Sequence, residues 1–184
     1  PASSGGDDQT LSESSEEYAD EARTLYEEGM EEFEDEDCLT AEPLFRRVRR
    51  EFPYSRYSAL AQLRVGDCQM QQSEYAEAVQ SFSSFVRYNA SHAEVPYARF
   101  RIAEAHFEQI PTDWLLVPPS YERDLGSAQD ALRYLRRFIL DYPEDEHVEQ
   151  ALEMARRSLF VLAGHELYAG QYYLRRGSPE AAVM

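Results

Sequence analysis

From Ser15 onward, apolar residues return every three or four positions. Tyr18, Ala22, Leu25, Tyr26, Gly29, Met30 and Phe33 fall on one face of a helix, with acids filling the other faces. Ser14 or Ser15 is expected to cap this helix, with acidic residues in the first turn where the helix dipole favours them. Residues 1–14 are small and polar, with Leu11 the one large apolar residue, and they are expected to form a flexible leader.

Three later segments share one set of offsets. Ala41, Phe45, Val48 and Pro53 stand at 0, 4, 7 and 12, as do Ala78, Phe82, Phe85 and Ala90, and Ala131, Leu135, Phe138 and Pro143. The small residue lets two helices approach, the large ones fill the gap to the next helix, and the proline ends the run so the chain can turn. Each segment reads as the second helix of a helix–turn–helix unit. The first helices carry Ala59, Leu63, Val65 and Gly66, and then Tyr97, Phe100, Ile102, Ala103 and Phe107, with Pro96 near a helix start. Two further helices are expected at 147–163 and 166–175, and another begins at Ser178-Pro179-Glu180. The alignment needs a one-residue slip near Met30–Phe33 and leaves an insert at 110–126. The insert holds the lone tryptophan, Trp114, which is expected to plug a groove between helices or to dock a partner. Such spacing predicts an all-α tetratricopeptide-repeat superhelix of about four and a half repeats, covering 15–184 and cut at the start of the fifth repeat.

Charge narrows the partners. The formal net charge is −17, which opposes binding to nucleic acid or to an anionic lipid surface and favours partners with basic faces. All 18 basic side chains are arginine. Residues 7–42 hold sixteen acids against one base, Arg23, and Arg46, Arg47, Arg49, Arg50, Arg56 and Arg64 follow closely. These are expected to be solvated helix faces; a bipolar surface with an acidic and a basic patch is the alternative. No apolar run approaches the roughly 20 residues needed to span a bilayer.

Catalytic chemistry has no signature here. His92, His106, His147 and His165 do not stand at metal-ligand spacing, neither cysteine lies in a CxxC pair, and there is no glycine-rich phosphate loop or nucleophile elbow. The expectation is a protein without catalytic residues, metal or cofactor. Cys38 and Cys68 fall at opposite ends of consecutive helices that should run antiparallel, which makes them neighbours. Two buried thiols are the default and a disulfide, in an oxidising compartment, is the alternative. Aromatic positions are the best binding candidates. The loop Phe52-Pro53-Tyr54-Ser55-Arg56-Tyr57 offers two tyrosines and an arginine beside the inner helices, and its rings either contact an extended peptide or cover helix ends. Tyr172-Tyr173-Leu174-Arg175-Arg176-Gly177 ends a helix with basic residues at the end the dipole favours.

Several of these segments resemble one family. The 51–58 loop, the stretch from Phe100 through Trp114 to Asp124, and the stretches His165-Glu166-Leu167-Tyr168 and Tyr172–Gly177 are similar, in order and with the insert, to the BamD (ComL) family of outer-membrane β-barrel assembly lipoproteins, with wording closest to δ-proteobacterial members. The likeness covers about 16–184. It implies a five-repeat protein of the periplasm, held to the outer membrane by an acylated N-terminal cysteine. It implies docking to the POTRA domains of BamA through the C-terminal repeats, possession of other assembly lipoproteins as neighbours, and reception of unfolded outer-membrane proteins by the N-terminal repeats. Carried over by position, Tyr54 and Tyr57 fall in the substrate-side loop and Arg176 at the end facing BamA; with them, Tyr26 and Arg56 are the expected substrate-side residues, and Tyr173 and Arg175 the expected BamA-side ones. Two departures stand out: the acylated cysteine is not in this sequence, and the fifth repeat is nearly all missing. The competing reading is another periplasmic repeat adaptor that coordinates cell-envelope or division proteins.

Overall fold

The computed structural model describes residues 7–110 and 125–176, and among these it has seven α-helices and no strand. The chain forms two compact units, residues 1–91 and 92–184.

The first unit contains α1 (Asp7–Glu34), α2 (Cys38–Glu51), α3 (Arg56–Gln71) and α4 (Tyr75–Tyr88). Each helix packs on the next, and α1 also touches α3. The helix expected to start at Ser15 begins instead at Asp7, so Ser14 and Ser15 lie inside it and do not cap it. Residues 7–28 contain no proline or glycine to stop the helix.

The shared offsets are core positions. Ala41, Phe45 and Val48 on α2 and Ala78, Phe82 and Phe85 on α4 are fully buried. The Phe45 and Phe82 rings each face a glycine on the preceding helix. A Cβ built on Gly29 would lie 2.8 Å from the Phe45 ring, and one on Gly66 would lie 2.7 Å from the Phe82 ring. Both closures are below a tolerable carbon–carbon contact, so only glycine lets the helix sit so near the ring. The two tight turns are equivalent as well. Glu36 and Ser73 adopt left-handed backbone (φ 61° and 60°). In each turn the following amide reaches back to close the preceding helix: Asp37 N–H to Glu32 O at 2.9 Å, and Glu74 N–H to Gln69 O at 2.8 Å. Asp37 then caps α2, accepting from the Thr40 amide at 3.1 Å and the Thr40 hydroxyl at 2.8 Å. Cys38 and Cys68 are joined in a disulfide with Cα atoms 5.1 Å apart, so the structure selects the bridge over the pair of free thiols. The bridge ties the start of α2 to the last turn of α3.

The second unit contains α5 (Val95–Glu108), α6 (Gly126–Asp141) and α7 (Val148–Arg175). Phe100, Ala131, Leu135, Phe138 and Ala151 form its buried centre. The third set of offsets is thus again core. His147 stacks on Phe100 at 4.4 Å and places Nδ1 2.8 Å from Asp145. One expectation is corrected here. The two helices predicted at 147–163 and 166–175 are a single helix of 28 residues. Gly164 is the one weak helix former between them, at a cost of about 1 kcal/mol, and a break would forfeit several backbone hydrogen bonds and require a cap that the sequence does not supply. The described residues therefore contain three helix hairpins and one long helix, and the fourth hairpin of the predicted array is absent among them. Most of the expected insert, 111–124 with Trp114, and the start of a further helix at Ser178 lie outside the described residues.

Candidate functional site

In the first unit an aromatic ladder runs along α1 and the start of α3. Tyr26 is half-buried, with its ring 5.6 Å from Phe45 and 5.4 Å from Tyr57. Further along α1, Phe33 meets Phe45 edge-on at 6.3 Å. Nearer the start of α1, Tyr18 meets Phe52 edge-on at 5.1 Å. Positions 18, 26 and 33 share a face because seven or eight residues make about two turns.

The loop before α3 sets the far side of the ladder. Phe52 is buried and anchors the loop, and Ser55 caps α3 by accepting from the Tyr57 amide at 3.2 Å. This cap places Tyr57 in the first turn, facing Tyr26. Arg56 folds over its neighbour: the guanidinium carbon is 4.8 Å from the Tyr57 ring centre, and Nη2 donates to the Tyr57 hydroxyl at 2.7 Å. Arg56 is itself exposed, and a guanidinium carries more donors than this one bond uses. One turn pair further along α3, Arg64 lies 5.6 Å from the Phe33 ring and pairs with the buried Asp67 at 2.6 Å.

Of the four residues expected on the substrate side, the structure brings Tyr26, Arg56 and Tyr57 into one cluster. Tyr54 stands apart from it. The residue is 95 % exposed, while its amide donates to the Tyr18 hydroxyl at 3.4 Å. Phe33 and Arg64 were not among the expected site residues, although the spacing of Phe33 from Tyr26 on α1 carries the signal. Half-buried rings offer flat apolar faces at low entropic cost, and guanidinium groups beside them donate to carboxylate or carbonyl oxygen. Such a surface suits an extended segment that bears aromatic side chains.

In the second unit the end of α7 gathers the other three expected residues. Tyr173 and Arg175 are exposed, and Arg176 lies over the Tyr172 ring at 4.9 Å, with Tyr172 and Tyr173 edge-on at 5.6 Å. Along the same helix Phe160, Leu167 and Leu174 recur every seven residues, each more than 60 % exposed. This line of large apolar side chains leads to the basic end of the helix.

Among the described residues no group of His, Cys, Asp or Glu is arranged to hold a metal ion, and no helix is long and apolar enough to cross a membrane.

Comparison with known families matches residues 18–184 to YfiO, described as an outer membrane lipoprotein. The chain is similar to an outer membrane protein assembly factor BamD of Caulobacter vibrioides, 29% identical over 159 residues, which are 86% of this chain and 50% of that relative. It is 24% identical to the BamD of Xylella fastidiosa over 89% of this chain and 54% of the relative. With the BamD of Neisseria gonorrhoeae it shares 22% over 86% of this chain and 60% of the relative. The chain thus spans between half and three-fifths of the length of these relatives.

Proposed function

The chain belongs to the YfiO family of outer membrane lipoproteins, and from that membership we propose that it is a scaffold subunit of the machinery that assembles β-barrel proteins in the outer membrane. It works by binding alone, without catalytic residues or cofactor. In its full-length form it is lipid-anchored at the periplasmic face of that membrane. Its relatives are named as assembly factors. The Cys38–Cys68 disulfide suits an oxidising compartment such as the periplasm.

The observation that carries the reading is the cluster of Tyr26, Tyr57 and Arg56. An unfolded barrel protein presents strands with alternate aromatic side chains and a terminal carboxylate. The tyrosine faces take the rings, and the Arg56 donors take the carboxylate or a strand carbonyl, with Tyr54 as an exposed contact at the edge. The test is a fluorescent peptide of about ten residues from the C-terminus of an outer-membrane barrel protein, titrated with the protein. Tyr26→Ala and Arg56→Glu are each expected to weaken binding about tenfold, the size of an aromatic or arginine anchor at an interface. Unchanged affinity in both variants, with helix content intact by circular dichroism, removes this site from the reading.

The end of α7 faces the second partner, the POTRA domains of BamA. Its exposed apolar line and the basic end formed by Arg175 and Arg176, with Tyr173 beside them, support docking by apolar burial with electrostatic steering. In the full-length protein Arg176→Glu is expected to weaken binding to isolated POTRA domains about tenfold by calorimetry. Absence of wild-type binding at tens of micromolar would count against the BamA assignment. Other lipoproteins of the assembly machinery are further candidates for the same helix.

A further inference from the structure

The outer side of α6 carries chemistry that neither of these two surfaces uses. Its inner side is spent on the core through Ala128, Ala131, Leu135 and Phe138. Its outer side, with Arg99 of α5 and Leu162 of α7, lines an open groove of about 690 Å³. Four of the nine lining residues are arginine, Arg99, Arg133, Arg136 and Arg137, and none is acidic. This concentration stands out in a chain with 35 acids and 18 arginines.

The four arginines are not equally engaged. Arg133 pairs with Asp130 and Arg137 with Asp141, both at 2.6 Å and both within α6. Among the described residues, Arg99 and Arg136 make no ion pair. Among the described residues the buried Nε of Arg99 has no hydrogen-bond partner. An incoming carboxylate would supply the ion pair that the guanidinium groups of Arg99 and Arg136 lack among the described residues. Between the guanidinium groups the groove has an apolar element: Leu140 is 78 % exposed, and Leu162 is half-buried at the α7 side.

We propose that this groove docks an acidic segment of a partner protein that carries leucine-like side chains between its carboxylates. Its carboxylates meet Arg99 and Arg136, and an apolar side chain covers Leu140 and Leu162. The net charge of the chain decides between a peptide and a lipid surface. An anionic membrane meets the whole molecule at −17 and is repelled over a Debye length, whereas a short acidic segment meets only the basic groove. The groove is too open to enclose a small molecule and is long enough, along α6, for several residues of chain.

The probe is a fluorescein-labelled peptide of about twelve alternating leucine and glutamate residues, titrated into the full-length protein at low salt and read by anisotropy. Micromolar binding is expected, with loss of about tenfold on Arg136→Gln and more on Arg99→Gln with Arg136→Gln, and about threefold on Leu140→Ala. Arg136 and Leu140 are exposed, so their variants keep the fold even where Arg99→Gln does not. Leu39→Ala, at an exposed position of the first unit, should leave this binding unchanged. Equal affinity for the peptide with glutamine in place of glutamate would overturn the proposal. So would indifference to Arg136→Gln, absence of binding to the full-length protein, or displacement of the peptide by phosphatidylglycerol vesicles, which would assign the groove to lipid.

Discussion

Phe82→Ala is expected to destabilise the first unit by about 3–5 kcal/mol, the range for removing a fully buried phenylalanine. Phe82 has no exposed surface, and its ring lies directly over Gly66. The cavity left by alanine cannot be filled from the facing side, because glycine has no side chain to move into it. That lack of relaxation places the cost toward the upper end of the range. The native stability of a small domain is only about 5–15 kcal/mol, so this one change consumes a large share of it. Urea denaturation followed by circular dichroism gives the difference directly. The same contact predicts a compensation. Gly66→Leu alone overpacks against the Phe82 ring, whereas Gly66→Leu combined with Phe82→Ala should recover part of the loss. A loss below about 1 kcal/mol for Phe82→Ala would mean that α3 and α4 do not close on each other as described.

Reduction of the Cys38–Cys68 bridge is the second large effect. The cysteines are 30 positions apart, and closing a loop of that size in the unfolded chain corresponds to about 3.5 kcal/mol on the chain-entropy account. Both residues are buried, so the pair Cys38→Ala and Cys68→Ala removes the bond without introducing a polar group into the core. The oxidised protein should unfold at clearly higher urea than the reduced protein, and the double alanine variant should be insensitive to reductant. Intact mass is the cleaner check. It should rise by two hydrogens on reduction, and an unchanged mass would rule out the bridge. The loss is expected in the first unit alone, since both cysteines lie there.

The repeat offsets were legible because they follow from burial. A residue that must sit between two helices is small or large according to the gap, and that requirement recurs with the repeat. Ala41, Phe45 and Val48, and their counterparts in α4 and α6, could therefore be placed in the core before any coordinates. The aromatic candidates were legible in part. Tyr26 and Tyr57 lie on predictable helix faces, but their approach to 5.4 Å depends on how α1 and α3 pack, which no local spacing gives. Phe33 and Arg64 entered the same surface for that reason.

Local pattern alone determined an all-helical chain of paired helices, its turns and its interior, because 3.6-residue periodicity and helix breakers act within a few residues of one another. What needed tertiary structure was every choice between states that local pattern leaves close in energy. Whether α7 breaks at Gly164 turns on about 1 kcal/mol of helix propensity against the loss of continuous backbone hydrogen bonds. Whether Cys38 and Cys68 bond turns on a Cα separation that only the packing of α2 against α3 sets at 5.1 Å. And the gathering of Arg99, Arg136 and Leu162 from three helices around one groove has no trace in sequence spacing, since side chains distant along the chain become neighbours only when the helices pack.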